Sequence, residues 1–258
     1  MTRKNQLLFG IVLMLFMLPQ PIYAMHIMEG YLPPVWCLVW GSISIPFVVL
    51  GFFSIKKRVE NNPKLLLLLA MAGAYAFVLS ALKLPSITGS TSHPTGVGLG
   101  AILFGPTVMS VIGLIILFFQ AILLAHGGLT TLGANTFSMA VVGPFVSYSI
   151  FKGVQKLKGS LMVAVFLAAM FGDLFTYVTT AVQLAMAWPD PLGGFQAALV
   201  KYLGIFAITQ LPIAISEGIL TVIIFKAISA YNQDSLIDLN VFTKEVKSLE
   251  TIASKSKG

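Results

Sequence analysis

The chain has 258 residues, of which 57% are hydrophobic and only 10% are charged, whereas soluble domains carry about 25% charged residues. Several apolar runs approach 20 residues, the length at which a helix spans a bilayer. This composition excludes a soluble domain and predicts an all-α, polytopic membrane helix bundle with a single membrane domain. The net charge of +7 does not indicate a nucleic-acid partner, because the basic residues cluster in short loops between the apolar runs.

Two basic clusters orient the predicted bundle. They consist of Lys56, Lys57, Arg58 and Lys64, and of Lys152, Lys156 and Lys158. Cytoplasmic loops are enriched in Lys and Arg, so both clusters are placed in the cytoplasm. Cys37 is the single cysteine, which excludes an intramolecular disulfide and a thiolate metal cluster. No Walker-type phosphate loop occurs, so we expect no ATPase site of that kind in this chain.

Residues 1–24 have the three parts of a secretory signal peptide. Arg3 and Lys4 precede an apolar core, residues 7–18, and Ala24 ends a plausible cleavage site. Cleavage there would leave Met25 with a free amine on the outer side of the membrane. The alternative is that residues 7–24 remain as an anchor helix, although this core is short for a membrane span.

Residues 25–231 are predicted to form about seven segments, and the polar tail, residues 232–258, is placed in the cytoplasm. The full spans are predicted at 35–55, 64–82, 132–151, 160–188 and 196–231. Residues 97–125 must enter and leave from the same face, because the flanking loops both lie outside. They are too short for two spans, which need about 40 residues. We therefore expect a short segment before Gly105-Pro106 and a longer helix, Thr107–Ala125.

Met25 and His26 form a potential metal chelate once the signal peptide is removed. The Met25 amine and the His26 amide nitrogen can close a five-membered ring around an ion, and the same amide and His26 Nδ1 a six-membered ring. A fourth nitrogen would complete a planar site, a geometry that favours nickel(II) or copper(II). Binding requires that the amine and the amide lose their protons, so it should depend on pH.

The two other histidines are candidates for the fourth nitrogen. His93 lies in a polar outer loop and is predicted to supply it, the alternative being a solvated loop side chain. His126 ends a predicted helix, where it is expected to cap the C-terminus, with a supporting or ligand role at the metal site as the alternative. Ser92 is a candidate to support a ligand. Glu29 is either a support that orients a ligand imidazole or a solvated outer charge.

Two carboxylates lie inside predicted spans, where an ionisable residue is a functional hypothesis by default. Asp173 is predicted to pair with Lys201, which enters from the same side on the next span. Glu217 has no evident partner. A proton relay through these two acids would make the chain a secondary transporter, which is an alternative to metal capture alone.

The stretch Met25-His26-Ile27-Met28-Glu29-Gly30-Tyr31-Leu32-Pro33, with the later loop Gly89-Ser90-Thr91-Ser92-His93-Pro94-Thr95-Gly96, carries a resemblance. The chain resembles the substrate-capture component of the cobalt and nickel energy-coupling-factor (ECF) importers, the CbiM/NikM family. Further matching motifs occur at 99–106, 125–135 and 171–173, and the resemblance covers residues 25–231. It implies four nitrogen ligands: the Met25 amine, the His26 amide and imidazole, and the His93 imidazole.

The resemblance implies a non-catalytic binding subunit that captures cobalt(II), or alternatively nickel(II), at the outer face and needs no organic cofactor. Its implied partners are a small membrane subunit (the N component), a transmembrane coupling protein (the T component) and two ATP-binding subunits. Delivered cobalt would feed cobalamin synthesis. In this sequence the motif follows 24 other residues, so the implied site requires signal cleavage. A membrane scaffold that binds no metal is the remaining alternative.

Overall fold

The computed structural model describes residues 26–85, 91–231, 233–239 and 241. The predicted signal peptide, Met25 and most of the polar tail lie outside the described residues. The helices are α1 Pro34–Asn61, α2 Leu65–Ala81, α3 Val97–Phe104, α4 Pro106–Leu124, α5 Leu132–Asn135, α6 Gly143–Lys156, α7 Leu161–Ala187, α8 Gly194–Tyr231 and α9 Gln233–Asp238. The strands are β1 Leu84–Pro85 and β2 Thr91–Ser92.

The all-α membrane bundle is confirmed. Five helical spans are long and apolar enough to cross a membrane, and α2 is a shorter apolar helix of 17 residues. With the eight-residue α3, the described part of the chain has the seven predicted segments. The strands form one two-residue antiparallel pair in which Leu84 lies opposite Ser92.

The predicted break at Gly105-Pro106 separates α3 from α4. Gly105 has a φ of +84°, a conformation that residues with a Cβ rarely adopt. Pro106 is the first residue of α4. Its missing N–H costs no hydrogen bond there, because the first N–H groups of a helix have no partner within the helix. All eight residues of α3 are buried, so this segment is covered by protein, as an interrupted span in a bilayer requires.

The span between residues 132 and 156 is not a uniform α-helix. A π-helical stretch, Thr136–Val142, joins α5 to α6. Such wide turns are rare and occur frequently at functional sites. The wide turn begins immediately after Asn135, which contacts the N-terminal segment described below.

Small residues allow α6 and α7 to approach closely. A Cβ on Gly172 would collide with the Ser147 hydroxyl, and one on Gly143 would collide with the Thr176 hydroxyl. This is the packing expected of membrane helices, which approach through small side chains. In turn, α7 packs along α8 and against α3, so it lies at the centre of the bundle.

Candidate metal centre

Three histidines from distant parts of the sequence meet at one end of the bundle. The ring centroids of His26 and His93 are 4.5 Å apart, those of His26 and His126 4.6 Å, and those of His93 and His126 4.8 Å. Each residue is at most 2% exposed. One potential ligand atom from each lies within 4.8 Å of the others, so the three imidazoles form a single candidate metal centre.

The closest pair is the one that the sequence proposed as ligands. His26 Nδ1 lies 3.1 Å from His93 Nε2, and His93 Nδ1 lies 3.0 Å from the Pro94 carbonyl oxygen. Because a carbonyl only accepts, the proton of neutral His93 belongs on Nδ1 and the Nε2 lone pair faces His26. Two nitrogens bound at right angles to one ion, with bonds of about 2.0 Å, would lie about 2.8 Å apart. The 3.1 Å spacing is therefore close to that of a chelated pair.

Burial keeps the three imidazoles neutral. It is the main cause that lowers the pKa of His93 to about 4 and that of His126 to about 3. The pKa of His26 is also well below its ordinary value, first because of burial and then because of the two neighbouring imidazoles. A histidine binds metal through a neutral nitrogen, so at neutral pH this cluster offers lone pairs without first losing protons.

The segment that carries His26 is fixed to the bundle by the residues before the π-helical turn. Asn135 accepts a hydrogen bond from the Ile27 N–H at 2.8 Å and donates to the Ile27 carbonyl at 3.0 Å. The Thr131 hydroxyl donates to the same carbonyl at 2.6 Å. These bonds hold both backbone groups of Ile27 and thereby place His26 among the other histidines.

Glu29 is exposed, which agrees with the alternative of a solvated outer charge, and it also contacts the loop after α4. Its carboxylate accepts a hydrogen bond from the Thr130 N–H at 3.1 Å, while the Thr130 hydroxyl accepts from the Gly30 N–H at 3.1 Å. Hydrogen bonding from Thr130, first through its side chain and then through its backbone, lowers the pKa of Glu29. Glu29 therefore connects the N-terminal segment to the loop after α4 and does not bond to an imidazole.

The expectation that Glu217 has no partner is wrong. Its buried carboxylate accepts hydrogen bonds from the backbone N–H of Thr95 at 2.6 Å and of Gly96 at 3.0 Å. Gly96 is the N-cap of α3. Helix N-termini have unpaired N–H groups and favour negative charge, so Glu217 caps α3 from another helix. It thereby anchors the loop that carries His93.

Asp173 does not pair with Lys201. Asp173 is fully buried and accepts a hydrogen bond from Gln210 Nε2 at 2.5 Å, while Lys201 is exposed. Gln210 Nε2 also lies 3.2 Å from the His93 carbonyl oxygen. Asp173 thus orients the amide that contacts the His93 backbone. The Ser92 hydroxyl bonds to Thr209 at 2.9 Å, which is a third link from α8 to this loop.

The prediction that the His126 side chain caps the end of α4 is wrong. Lys83 Nζ donates to the Leu124 carbonyl at 3.0 Å, and the His126 backbone N–H donates to the Gln120 carbonyl at 3.1 Å. The helix end is therefore capped by Lys83 and by the backbone. Neither ring nitrogen of His126 has a hydrogen-bond partner among the described residues.

Gln210 and Asn135 were missed as contributors to the site. A signal for Gln210 was available, because the buried face of α8 follows a helical repeat: Ala198, Tyr202, Phe206, Gln210, Ala214, Glu217, Thr221 and Phe225. Gln210 and Glu217 lie on this stripe, whereas Lys201 is one residue away from Tyr202, about 100° around the helix. A polar residue on an apolar stripe inside a membrane is a candidate for function.

The family model described as "Cobalt uptake substrate-specific transmembrane region", named CbiM, matches residues 26–235. The chain belongs to this family. The "Cobalt transport protein CbiM" of Moorella thermoacetica is 58% identical over 239 residues, which cover 93% of this chain and 92% of that protein. The protein of the same name from Chlorobium limicola is 57% identical over 95% of this chain and 96% of its own length.

Solved structures of the same architecture exist. A crystal structure described as a transition metal transporter has a TM-score of 0.69 with 26% sequence identity, and covers 84% of this chain and 100% of its own chain. A truncated transition metal transporter also has a TM-score of 0.69, with 27% identity, and covers 80% of this chain and 99% of its own. The family's bundle is thus shared along nearly the whole of both solved chains.

Proposed function

We propose that this chain captures cobalt(II) at the outer face of the cell membrane as the substrate-binding subunit of an ATP-driven ECF importer. The observation that carries the proposal is the convergence of His26 and His93. Their nitrogens are buried, neutral and 3.1 Å apart, and His26 directly follows the residue at which the mature chain is proposed to begin. Membership of a cobalt-uptake family supports cobalt as the cargo, with nickel(II) as the alternative.

The proposed ligands are the Met25 amine, the His26 amide nitrogen, His26 Nδ1 and His93 Nε2. The fixed backbone of Ile27 orients the adjacent His26 for chelation. The anchor from Glu217 does the same for the His93 loop. Both halves of the site are therefore held in place before the ion arrives, which reduces the entropy lost on binding.

The proposed orientation follows from chain direction and charge. The cluster of histidines lies before α1, before α3 and after α4, whereas the basic residues lie near the end of α1, before α2 and around the end of α6. The helices α1 and α2, and the span that ends with α6, therefore each run between the histidine end and a basic cluster. Because Lys and Arg favour the cytoplasmic side, the histidine end is placed outside and the C-terminal tail inside.

Uptake is proposed to depend on partners: the small N subunit, the T coupling protein and two ATP-binding subunits, which would hydrolyse ATP. The delivered cobalt would supply cobalamin synthesis. Uptake of radioactive cobalt by cells that contain all subunits should be lost when an ATP-binding subunit is inactivated. Uptake by vesicles that contain this chain alone would instead support the alternative of a proton-driven transporter that uses Asp173 or Glu217.

The site itself is tested by intact mass and metal content measured on one purified sample. We expect a chain that begins at Met25 and holds about one cobalt, which is lost in a His93→Ala variant. A chain that retains residues 1–24 has no amine at Met25, and this result would contradict the proposed ligand set. Metal binding by such a chain would have to use the histidines alone.

A further inference from the structure

His126 is a buried ligand-type side chain to which the four-nitrogen site assigns no role. It is 2% exposed, and its two ring nitrogens have no hydrogen-bond partner among the described residues. A neutral imidazole has one donor and one acceptor, and leaving both unpaired in the interior is costly. Such an unpaired group in a native fold requires an explanation, and the rings of His26 and His93 are its neighbours at 4.6 and 4.8 Å.

We propose that His126 is a fifth, axial ligand that makes the site select cobalt(II) over nickel(II). This inference rests on the proposed function, because it adds one nitrogen to the proposed plane of four. The ligand atoms of the three histidines lie within 4.8 Å of one another, whereas an axial nitrogen lies about 2.8 Å from each nitrogen of the plane when the bonds are about 2.0 Å long. Rotation of the His126 side chain toward the other two histidines would close this distance and bring a ring nitrogen within reach of the ion that they hold.

The selectivity follows from electron count. In a planar field of four nitrogens, nickel(II) has eight d electrons, and two of them fill the orbital that points along the axis. An axial lone pair is therefore repelled. Low-spin cobalt(II) has seven d electrons and only one in that orbital, so it accepts a fifth ligand. The plane alone favours nickel(II) or copper(II), and a fixed imidazole above it shifts the preference toward cobalt(II).

The geometry of the loop supports a fixed position for this imidazole. Ala125 has a φ of +46° and Gly127 a φ of +78°, so the chain turns sharply on both sides of His126. A Cβ on Gly127 would lie 3.4 Å from His26 Cβ. The backbone N–H of His126 is held by the Gln120 carbonyl. The loop is thus packed on His26 and directs His126 to the cluster.

Electron paramagnetic resonance of the cobalt(II)-loaded mature wild-type protein, prepared without oxygen, tests the axial ligand directly. The unpaired electron of low-spin cobalt(II) lies along the axis, so one axial ¹⁴N nucleus splits each cobalt line into three. We expect this splitting, and we expect two lines in place of three when all histidines carry ¹⁵N. A spectrum without axial nitrogen splitting, or with splitting that histidine labelling does not change, would overturn the proposal.

A His126→Gln variant tests selectivity. We expect its cobalt(II) Kd to rise about tenfold or more, while its nickel(II) Kd changes less than about threefold. A purely structural role would raise both constants alike, and that result, or no change in either, overturns the inference. His93→Ala tests the four-nitrogen site separately from the axial ligand, because loss of His93 should abolish binding of both metals. If the mature wild type binds neither metal, the proposed function itself fails.

Discussion

Substitution of Glu217 tests whether α8 positions the metal-binding loop. Its carboxylate accepts two backbone hydrogen bonds, at 2.6 Å from Thr95 and 3.0 Å from Gly96. A hydrogen bond to a charged group contributes about 1.5–3 kcal/mol, and a buried N–H that loses its acceptor costs about 1–3 kcal/mol. Glu217→Ala removes the acceptor for both N–H groups, so the loop should lose about 3–5 kcal/mol of anchoring.

Part of this loss should appear in metal affinity. His93 is two residues before Thr95, so a poorly anchored loop places His93 correctly in only a fraction of the molecules. The apparent Kd for the metal rises as this fraction falls. Packing of the buried α3 retains some order, so we expect the cobalt(II) Kd to rise about 10- to 100-fold, which corresponds to about 1.4–2.7 kcal/mol. Glu217→Gln keeps one acceptor oxygen without the charge and should give a smaller increase.

Titration calorimetry of the mature protein in detergent measures this effect. Ser216→Ala is the matched control, because Ser216 is exposed on the same helix and, among the described residues, its hydroxyl bonds to the Pro212 carbonyl of its own helix, at 2.8 Å. An unchanged Kd in Glu217→Ala would refute the anchoring argument. Loss of uptake with an unchanged Kd would in addition favour a proton relay through this acid.

Three further outcomes are expected. Cobalt(II) binding at pH 7 should release about two protons, one from the amide and most of one from the Met25 amine, whose ordinary pKa is about 7.7–8.0; at pH 9 it should release about one. The imidazoles should contribute none at either pH, because their pKa values lie well below neutrality, and calorimetry in buffers of different ionisation enthalpy counts the protons. Asn135→Ala should raise the cobalt(II) Kd about tenfold, because both hydrogen bonds to Ile27 are lost; a wild-type Kd would show that the segment docks without them. Gly128→Ala should weaken binding and lower the melting temperature, because its Cβ would collide with the backbone of Glu29; unchanged melting and binding would mean that the segment shifts without cost.

The sequence determines those features that depend on neighbouring residues or on helical period. The seven segments follow from the length of the apolar runs, and the break at Gly105-Pro106 follows from the backbone preferences of two adjacent residues. The pairing of His26 with the Met25 amine as a potential chelate is a matter of ring size along one stretch of chain. Because successive loops alternate between the two faces of the membrane, the loop that carries His93 is placed at the same end of the bundle as His26.

Only the tertiary structure decides which side chains meet across helices. The Asp173–Lys201 pair was predicted from depth in the membrane alone, but the rotation of α8 turns Lys201 outward and presents Gln210 to Asp173. The position of His126 at the end of its own helix, before two glycines, predicted a cap, but the tertiary structure brings Lys83 to the Leu124 carbonyl from 41 residues away in sequence. Depth and sequence spacing are local quantities, whereas the rotation and packing of each helix depend on contacts with all of its neighbours.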